Sequence, residues 1–234
     1  MLHVDGVDAY YGLGHVLQAV SLRVEPGEAV ALLGRNGAGK TTTLKTIMGV
    51  VRARRGRITW NGQDITTLPP YRIVQLGIGY VPEERRIFPN LTVLENLKMA
   101  RLAVDGGKRM HEYLDRVLTL FPPLKARLAN SGRNLSGGEQ QMLTMARSLG
   151  TEPKLLLIDE PTEGLMPAFV ETIGETIVEI QRQGVAVLLV EQNTRLALGA
   201  TQRVYFLEKG AIKHEGRSAE LKHDHAVRMR YLGV

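Results

Sequence analysis

The sequence predicts an α/β fold in which a mostly parallel sheet forms the core, joined by an N-terminal antiparallel β part and an inserted helical part. Three observations predict it. The short aliphatic runs Glu28 to Leu33, Leu155 to Ile158 and Val185 to Val190 lack polar alternation, so they read as strands buried on both faces. An amphipathic stretch long enough for a helix separates the last two, which is the crossover that parallel strands need. Between the first and second runs, from Thr92 to Leu128, helix-like periods replace the strand pattern.

The elements follow in order. Val16 to Val24 mixes apolar and polar residues as a strand does, Pro26-Gly27 turns the chain, and Glu28 to Leu33 is the first buried strand. Thr42 to Met48 is helix-like. Arg57 to Trp60 then meets Asn61-Gly62, a pair that tolerates positive φ and suits a tight hairpin, so an antiparallel element lies near the buried strand. Val93 to Leu102 and His111 to Leu120 are helical, broken at Gly106-Gly107 and Pro122-Pro123, and Gln140 to Leu149 adds another helix. Beyond Pro153 strand Leu155 to Ile158, helix Ala168 to Gln183, strand Val185 to Val190 and a helix from Thr194 alternate. Arg203 to Glu208 and Ala211 to Glu215, joined by Lys209-Gly210, close the chain as an edge hairpin. The expected division is one domain, 1–234, with core and antiparallel part at 1–91 and 153–234 and the helical insert at 92–152.

Composition bounds the function. With 234 residues, 44% hydrophobic and 23% charged, the chain can bury a sizeable core as a single folded unit. The absence of cysteine excludes a disulfide framework and thiolate chemistry. The first residues lack the pattern of an export signal, and Val185 to Val190 is too short to span a bilayer, so service to a membrane requires other chains to cross it. A formal charge of +6 suits phosphate-rich partners, but aromatics are 5% and no basic stretch is interleaved with them, so no nucleic-acid platform is expected. Arg52 to Arg57 reads as a solvated loop and Met142 with Met145 as core filling. His223-Asp224-His225 closes no coordination sphere, because two histidines and one acid are too few.

Three motifs carry chemistry. Gly34-Arg35-Asn36-Gly37-Ala38-Gly39-Lys40-Thr41 lies between a strand and a helix, the setting a phosphate loop requires. Its glycines let backbone N–H groups wrap a phosphate, Lys40 adds a point charge, and the Thr41 hydroxyl, followed by Thr42 in the helix, suits Mg²⁺. Leu155 to Ile158 delivers Asp159 and Glu160 to the carboxyl end of a buried strand: Asp159 suits Mg²⁺, and Glu160 suits orienting and deprotonating a water. Leu135-Ser136-Gly137-Gly138-Glu139-Gln140-Gln141 opens a helix. Ser136 there is either a plain N-cap or, with two unobstructed glycine amides and a helix dipole, a second anion cradle. One site has little use for two cradles, so two chains lending one to each other is the economical arrangement.

With these residues in order, the sequence resembles the ATP-binding subunits of ABC transporters over essentially its full length. The resemblance implies a phosphate-loop NTPase core and an ATPase that binds ATP and Mg²⁺. Two subunits would close head to tail, with Ser136, Gly137, Gly138 and Glu139 meeting the nucleotide held by the partner's loop. It places Tyr11, or its neighbour Tyr10, against adenine, and Glu83 and Gln192 around the γ-phosphate and its metal.

Three positions depart from the general pattern. Val81-Pro82-Glu83 has glutamate where a glutamine usually stands, Val190-Glu191-Gln192-Asn193 lacks the usual histidine, and Met166 within Glu163-Gly164-Leu165-Met166-Pro167 replaces a common aspartate. Gln192 donates a hydrogen bond but carries no imidazolium charge, and losing one preorganised donor costs roughly 3 to 4 kcal/mol at an anionic transition state. These residues, with Arg85-Arg86-Ile87-Phe88-Pro89 and Tyr231-Leu232-Gly233-Val234, are similar to the branched-chain amino acid uptake branch. That resemblance implies a heterodimer with a second ATP-binding subunit, a homodimer being the alternative. It also implies integral membrane permease subunits, an indirect periplasmic binding protein, and a place on the cytoplasmic face of the inner membrane. Urea, amides or another small polar solute are alternative cargoes, and a soluble ABC-type ATPase outside transport is the alternative class.

Overall fold

The computed structural model describes residues 1–222 and Met229. The chain runs β1 (Leu2–Tyr11), β2 (Gly14–Val24), β3 (Ala29–Leu33), α1 (Lys40–Ile47), β4 (Ala53–Trp60), β5 (Gln63–Asp64), α2 (Pro70–Gln75) and β6 (Ile78–Val81). The helices α3 (Val93–Asp105), α4 (Met110–Leu120), α5 (Pro122–Lys125) and α6 (Gly137–Leu149) follow. Then come β7 (Leu155–Asp159), α7 (Pro167–Arg182), β8 (Ala186–Glu191), α8 (Thr194–Ala200), β9 (Arg203–Glu208), β10 (Ala211–Arg217) and α9 (Ser218–Leu221).

Two sheets result. A six-stranded sheet has the order β10-β9-β3-β8-β7-β6, all parallel neighbours except the antiparallel edge pair β9–β10. A four-stranded antiparallel sheet has the order β2-β1-β4-β5. Strand periodicity splits the core between the two faces of the larger sheet. Leu155 and Leu157 pack with Val4, Leu17 and Trp60 toward the antiparallel sheet, whereas Leu156 and Ile158 pack with Leu143, Ile173 and Ile177 toward the helices. Every residue of β7 is therefore buried, which explains its lack of polar alternation. Each buried leucine contributes roughly 1.5–3 kcal/mol.

Most expected elements appear, with instructive differences. β1 is a full strand that the sequence reading passed over, because register shifts between Val4 and Tyr10, with Gly6 at φ 56°, interrupt its alternation. Arg54, Arg55 and Arg57 lie exposed on β4 rather than in a loop, so strand pairing begins earlier than Arg57. Pro122-Pro123 starts the short α5, since proline is tolerated in a first helical turn. Asn61 and Gly62 do take positive φ between β4 and β5, and Met142 and Met145 are core residues. His223-Asp224-His225 and Tyr231 to Val234 lie outside the described residues.

Candidate functional site

Register alone brings three strand ends together. Leu33 of β3 pairs with Glu191 of β8, and Asp159 of β7 pairs with Val190, so the chain leaves the sheet three times along one edge. Ligands of open α/β sheets bind outside such carboxyl ends. The loop after β3 curls tightly: a Cβ at Gly34 would sit 2.4 Å from the Leu207 carbonyl oxygen, so only glycine lets the loop pass β9. Lys40, buried at the start of α1, turns its Nζ back to donate to the carbonyls of Gly34 (2.9 Å) and Arg35 (3.2 Å).

The two acids after β7 have separate surroundings. Asp159 Oδ1 accepts from the Thr41 hydroxyl and Oδ2 from the Tyr80 hydroxyl, each at 3.0 Å. Burial nevertheless holds the Asp159 carboxyl above the usual carboxylate range, and burial also raises the Tyr80 phenol. Glu160 bends the chain at φ 41°, an unusual angle for a side-chain-bearing residue that costs about 1–3 kcal/mol. That bend directs its carboxylate at Lys40, Oε1 lying 3.0 Å from Nζ, while Oε2 accepts from the side-chain amide of Gln192. The position that lacks histidine thus holds Glu160 in place through a neutral donor.

A cavity of about 480 Å³ opens over the loop, lined by Asn36, Gly37, Gly39, Lys40, Thr41 and Thr42, with Val16, Glu83, Glu160 and Glu163 at its sides. Partial desolvation and the neighbouring Glu163 hold the Glu83 carboxyl above its usual range. Thr41 and Glu83 bring oxygens to the cavity lining, and Asp159, fully buried, stands behind Thr41 through the hydrogen bond to its hydroxyl; hard oxygens of this kind suit Mg²⁺. Arg35 contributes its carbonyl and the buried Ala38 its backbone to the turn.

Not every expected residue converges here. Tyr11 is 53% exposed and lines a neighbouring groove with Lys45 and Val50 rather than this cavity. Tyr10 is already stacked on His15 at 4.2 Å and covered by Arg54, which leaves Tyr11 as the exposed ring. The Ser136 turn also stands apart from the cavity. Ser136 is exposed, and its hydroxyl accepts from the Glu139 backbone N–H while Glu139 accepts from the Ser136 N–H, a reciprocal cap that Arg127 extends by pairing with Glu139 at 2.9 Å. Gly138 is buried because the Phe169 ring occupies the space where a Cβ would be, 2.4 Å away.

Sequence reading missed Tyr80 and Glu191. Glu191, 3% exposed, accepts from Thr162 Oγ1 at 2.5 Å and from the backbone N–H groups of Gln192 and Asn193 at 2.9 Å, fixing the turn that presents Gln192. An acid closing an aliphatic strand was the available signal. Burial raises its carboxyl above the usual range. A carboxyl whose folded pKa exceeds its unfolded value, about 4.3, loses stability as pH rises through that interval. In Glu191→Gln the amide oxygen can accept from both backbone N–H groups while the amide nitrogen donates to Thr162 Oγ1, so three bonds remain, that one reversed, without a buried charge. It is expected to melt above the parent at neutral pH, on the order of 1 kcal/mol or about 2–4 °C, with the difference vanishing below that interval in pH-resolved calorimetry.

A protein-family model described as ABC transporter matches residues 17–163. The high-affinity branched-chain amino acid transport ATP-binding protein BraG of Pseudomonas aeruginosa is 45% identical over 233 residues, covering 100% of both chains. The lipopolysaccharide export system ATP-binding protein LptB of Haemophilus influenzae is 38% identical over 236 residues, covering 100% of this chain and 97% of that one. Among solved structures, an ATP-binding cassette of an ABC transporter in its ADP conformation superposes with a TM-score of 0.84 at 27% identity, covering 100% of this chain and 99% of that one.

Proposed function

The chain belongs to the ABC transporter family and is one of its ATPases, and from that premise we propose that it powers import of branched-chain amino acids through a separate membrane permease. The observation that carries the cargo is the 45% identity, end to end, with a branched-chain amino acid transport ATP-binding protein. No helix among the described residues is long and apolar enough to cross a membrane. The likeness to a transport ATP-binding protein supports a peripheral place on the cytoplasmic face beside permease subunits. The exposed Ser136 turn, set apart from the chain's own cavity, supports head-to-tail pairing with a second ATP-binding subunit. A heterodimer is the pairing we favour, with a periplasmic binding protein delivering the cargo.

The proposed chemistry uses few groups. Asn36, Gly37 and Gly39 cradle the phosphates with backbone N–H groups, and Tyr11, exposed in the neighbouring groove, stacks on an adenine that reaches out of the cavity. Mg²⁺, held by Thr41, Asp159 and Glu83, would supply charge neutralisation at the β- and γ-phosphates. Lys40 and Glu160 neutralise each other at 3.0 Å. A triphosphate competes for Lys40, and Glu160, still held by Gln192, then orients and deprotonates the water that attacks the γ-phosphate. Because an amide does not titrate in this range, Gln192→His is expected to add a limb near pH ~6.5 to the kcat profile that the parent lacks.

Uptake assays test the cargo. Deleting the gene should abolish uptake of labelled leucine, isoleucine and valine, with rescue by the parent and not by Glu160→Gln. Intact uptake of all three, with loss of lipopolysaccharide delivery or of urea or amide uptake, would reassign the cargo.

A further inference from the structure

We propose that Arg85 is a positioning residue that locks the Ser136–Gly138 turn to the Glu160–Leu165 loop, so that both face a second nucleotide as one rigid surface. The part that concerns the second nucleotide rests on the head-to-tail reading above; the lock itself stands on contacts within one chain. Arg85 follows β6 in a loop where it takes φ 47°, a conformation that its side chain does not favour and that neighbouring contacts must hold. Its Nη2 donates to the Glu163 carbonyl at 2.6 Å. Its Nη1 lies so near Gly137 that a Cβ built there would be 2.6 Å away, so the glycine provides clearance for the guanidinium.

The loop that carries Arg85 also grips the far end of α6. Arg147 Nη1 donates to the Arg86 carbonyl at 2.5 Å, and its guanidinium lies 4.4 Å from the centroid of the Phe88 ring. Ser148 Oγ donates to the Tyr80 carbonyl at 2.9 Å, just before the loop begins. The helix is thus held near both ends, and Arg85 adds the link across to the loop after β7. A planar guanidinium spans two partners in fixed geometry, whereas a lysine ammonium is a single point on a flexible stem.

Hydrogen exchange on the full chain without nucleotide tests the lock. Arg85→Ala should raise exchange about tenfold at 162–166, the scale expected when the charge-assisted hydrogen bond to Glu163 is lost, and should also raise it at 135–141, where the packing of the guanidinium against Gly137 is lost. Arg85→Lys should leave the 135–141 segment as unprotected as the alanine variant does. Gly137→Ala should displace the guanidinium and so raise exchange at 162–166, an effect that should disappear in an Arg85→Ala background. In steady-state phosphate release, Arg85→Ala should lower kcat about tenfold with KM for ATP unchanged, since the chain's own phosphate loop does not touch Arg85. Faster exchange in one segment only or in neither, a Gly137→Ala effect that survives without Arg85, or a rise in KM at constant kcat would each overturn the proposal. Ser136→Glu serves as a separate control. If that variant keeps full turnover, the head-to-tail reading fails while the exchange result on Arg85 still decides the lock.

Discussion

Glu160→Gln is expected to reduce phosphate release by about 10³-fold while nucleotide binding persists. The amide is isosteric, so its oxygen can still accept from the Lys40 ammonium and its NH2 can donate to Gln192 once that amide turns over to present its oxygen, and the side chain can still pack in its buried position. It cannot take a proton from water. If Glu160 supplies the base, positioning and charge neutralisation survive and only proton removal is lost, so fluorescent-nucleotide binding stays near the parent value while turnover collapses. A variant that retains more than about a tenth of parental turnover would remove Glu160 from that role, because general-base removal typically costs 10²–10⁴-fold.

Lys40→Met should fail at the opposite step. Lys40 is 4% exposed, its Nζ is shared among two loop carbonyls and Glu160, and methionine keeps most of the aliphatic stem while deleting the charge. ATP affinity should fall about 10²-fold or more, since each charge-assisted bond to phosphate is worth roughly 1.5–3 kcal/mol. The melting temperature should fall too, because Glu160 loses its buried counter-ion, and breaking such a pair costs up to about 3–5 kcal/mol. Isothermal titration separates the two variants: Glu160→Gln binds without turnover, and Lys40→Met does neither. Unchanged ATP affinity in Lys40→Met would refute the phosphate assignment.

The phosphate loop and the acids after β7 were legible because their chemistry is local: glycines, a lysine and a hydroxyl follow a buried strand, and a strand end delivers two carboxylates. The partners that tune those groups were not. Tyr80 reaches Asp159 across 79 positions of sequence, and its strand hides behind Gly77 and Gly79, which are weak strand formers. Gly79 is allowed there because Leu156 and Pro153 press on it, a packing fact with no local trace. Arg85 reads as one of two surface arginines until the fold brings Gly137 and Glu163 to it. Gln192 was legible as a substitution, but its contact with Glu160 appeared only once β7 and β8 were paired.

The reciprocal cap at Ser136 has an evolutionary consequence. A library screened only for folding would accept threonine, aspartate or asparagine there, since each can begin a helix. If the turn meets a partner's nucleotide as proposed, selection for growth on transported solute would eliminate an added negative charge there, and the permitted set would contract toward serine. Tolerance at this position therefore depends on which trait is scored, and the gap between two such screens measures how much of the constraint belongs to the neighbouring subunit.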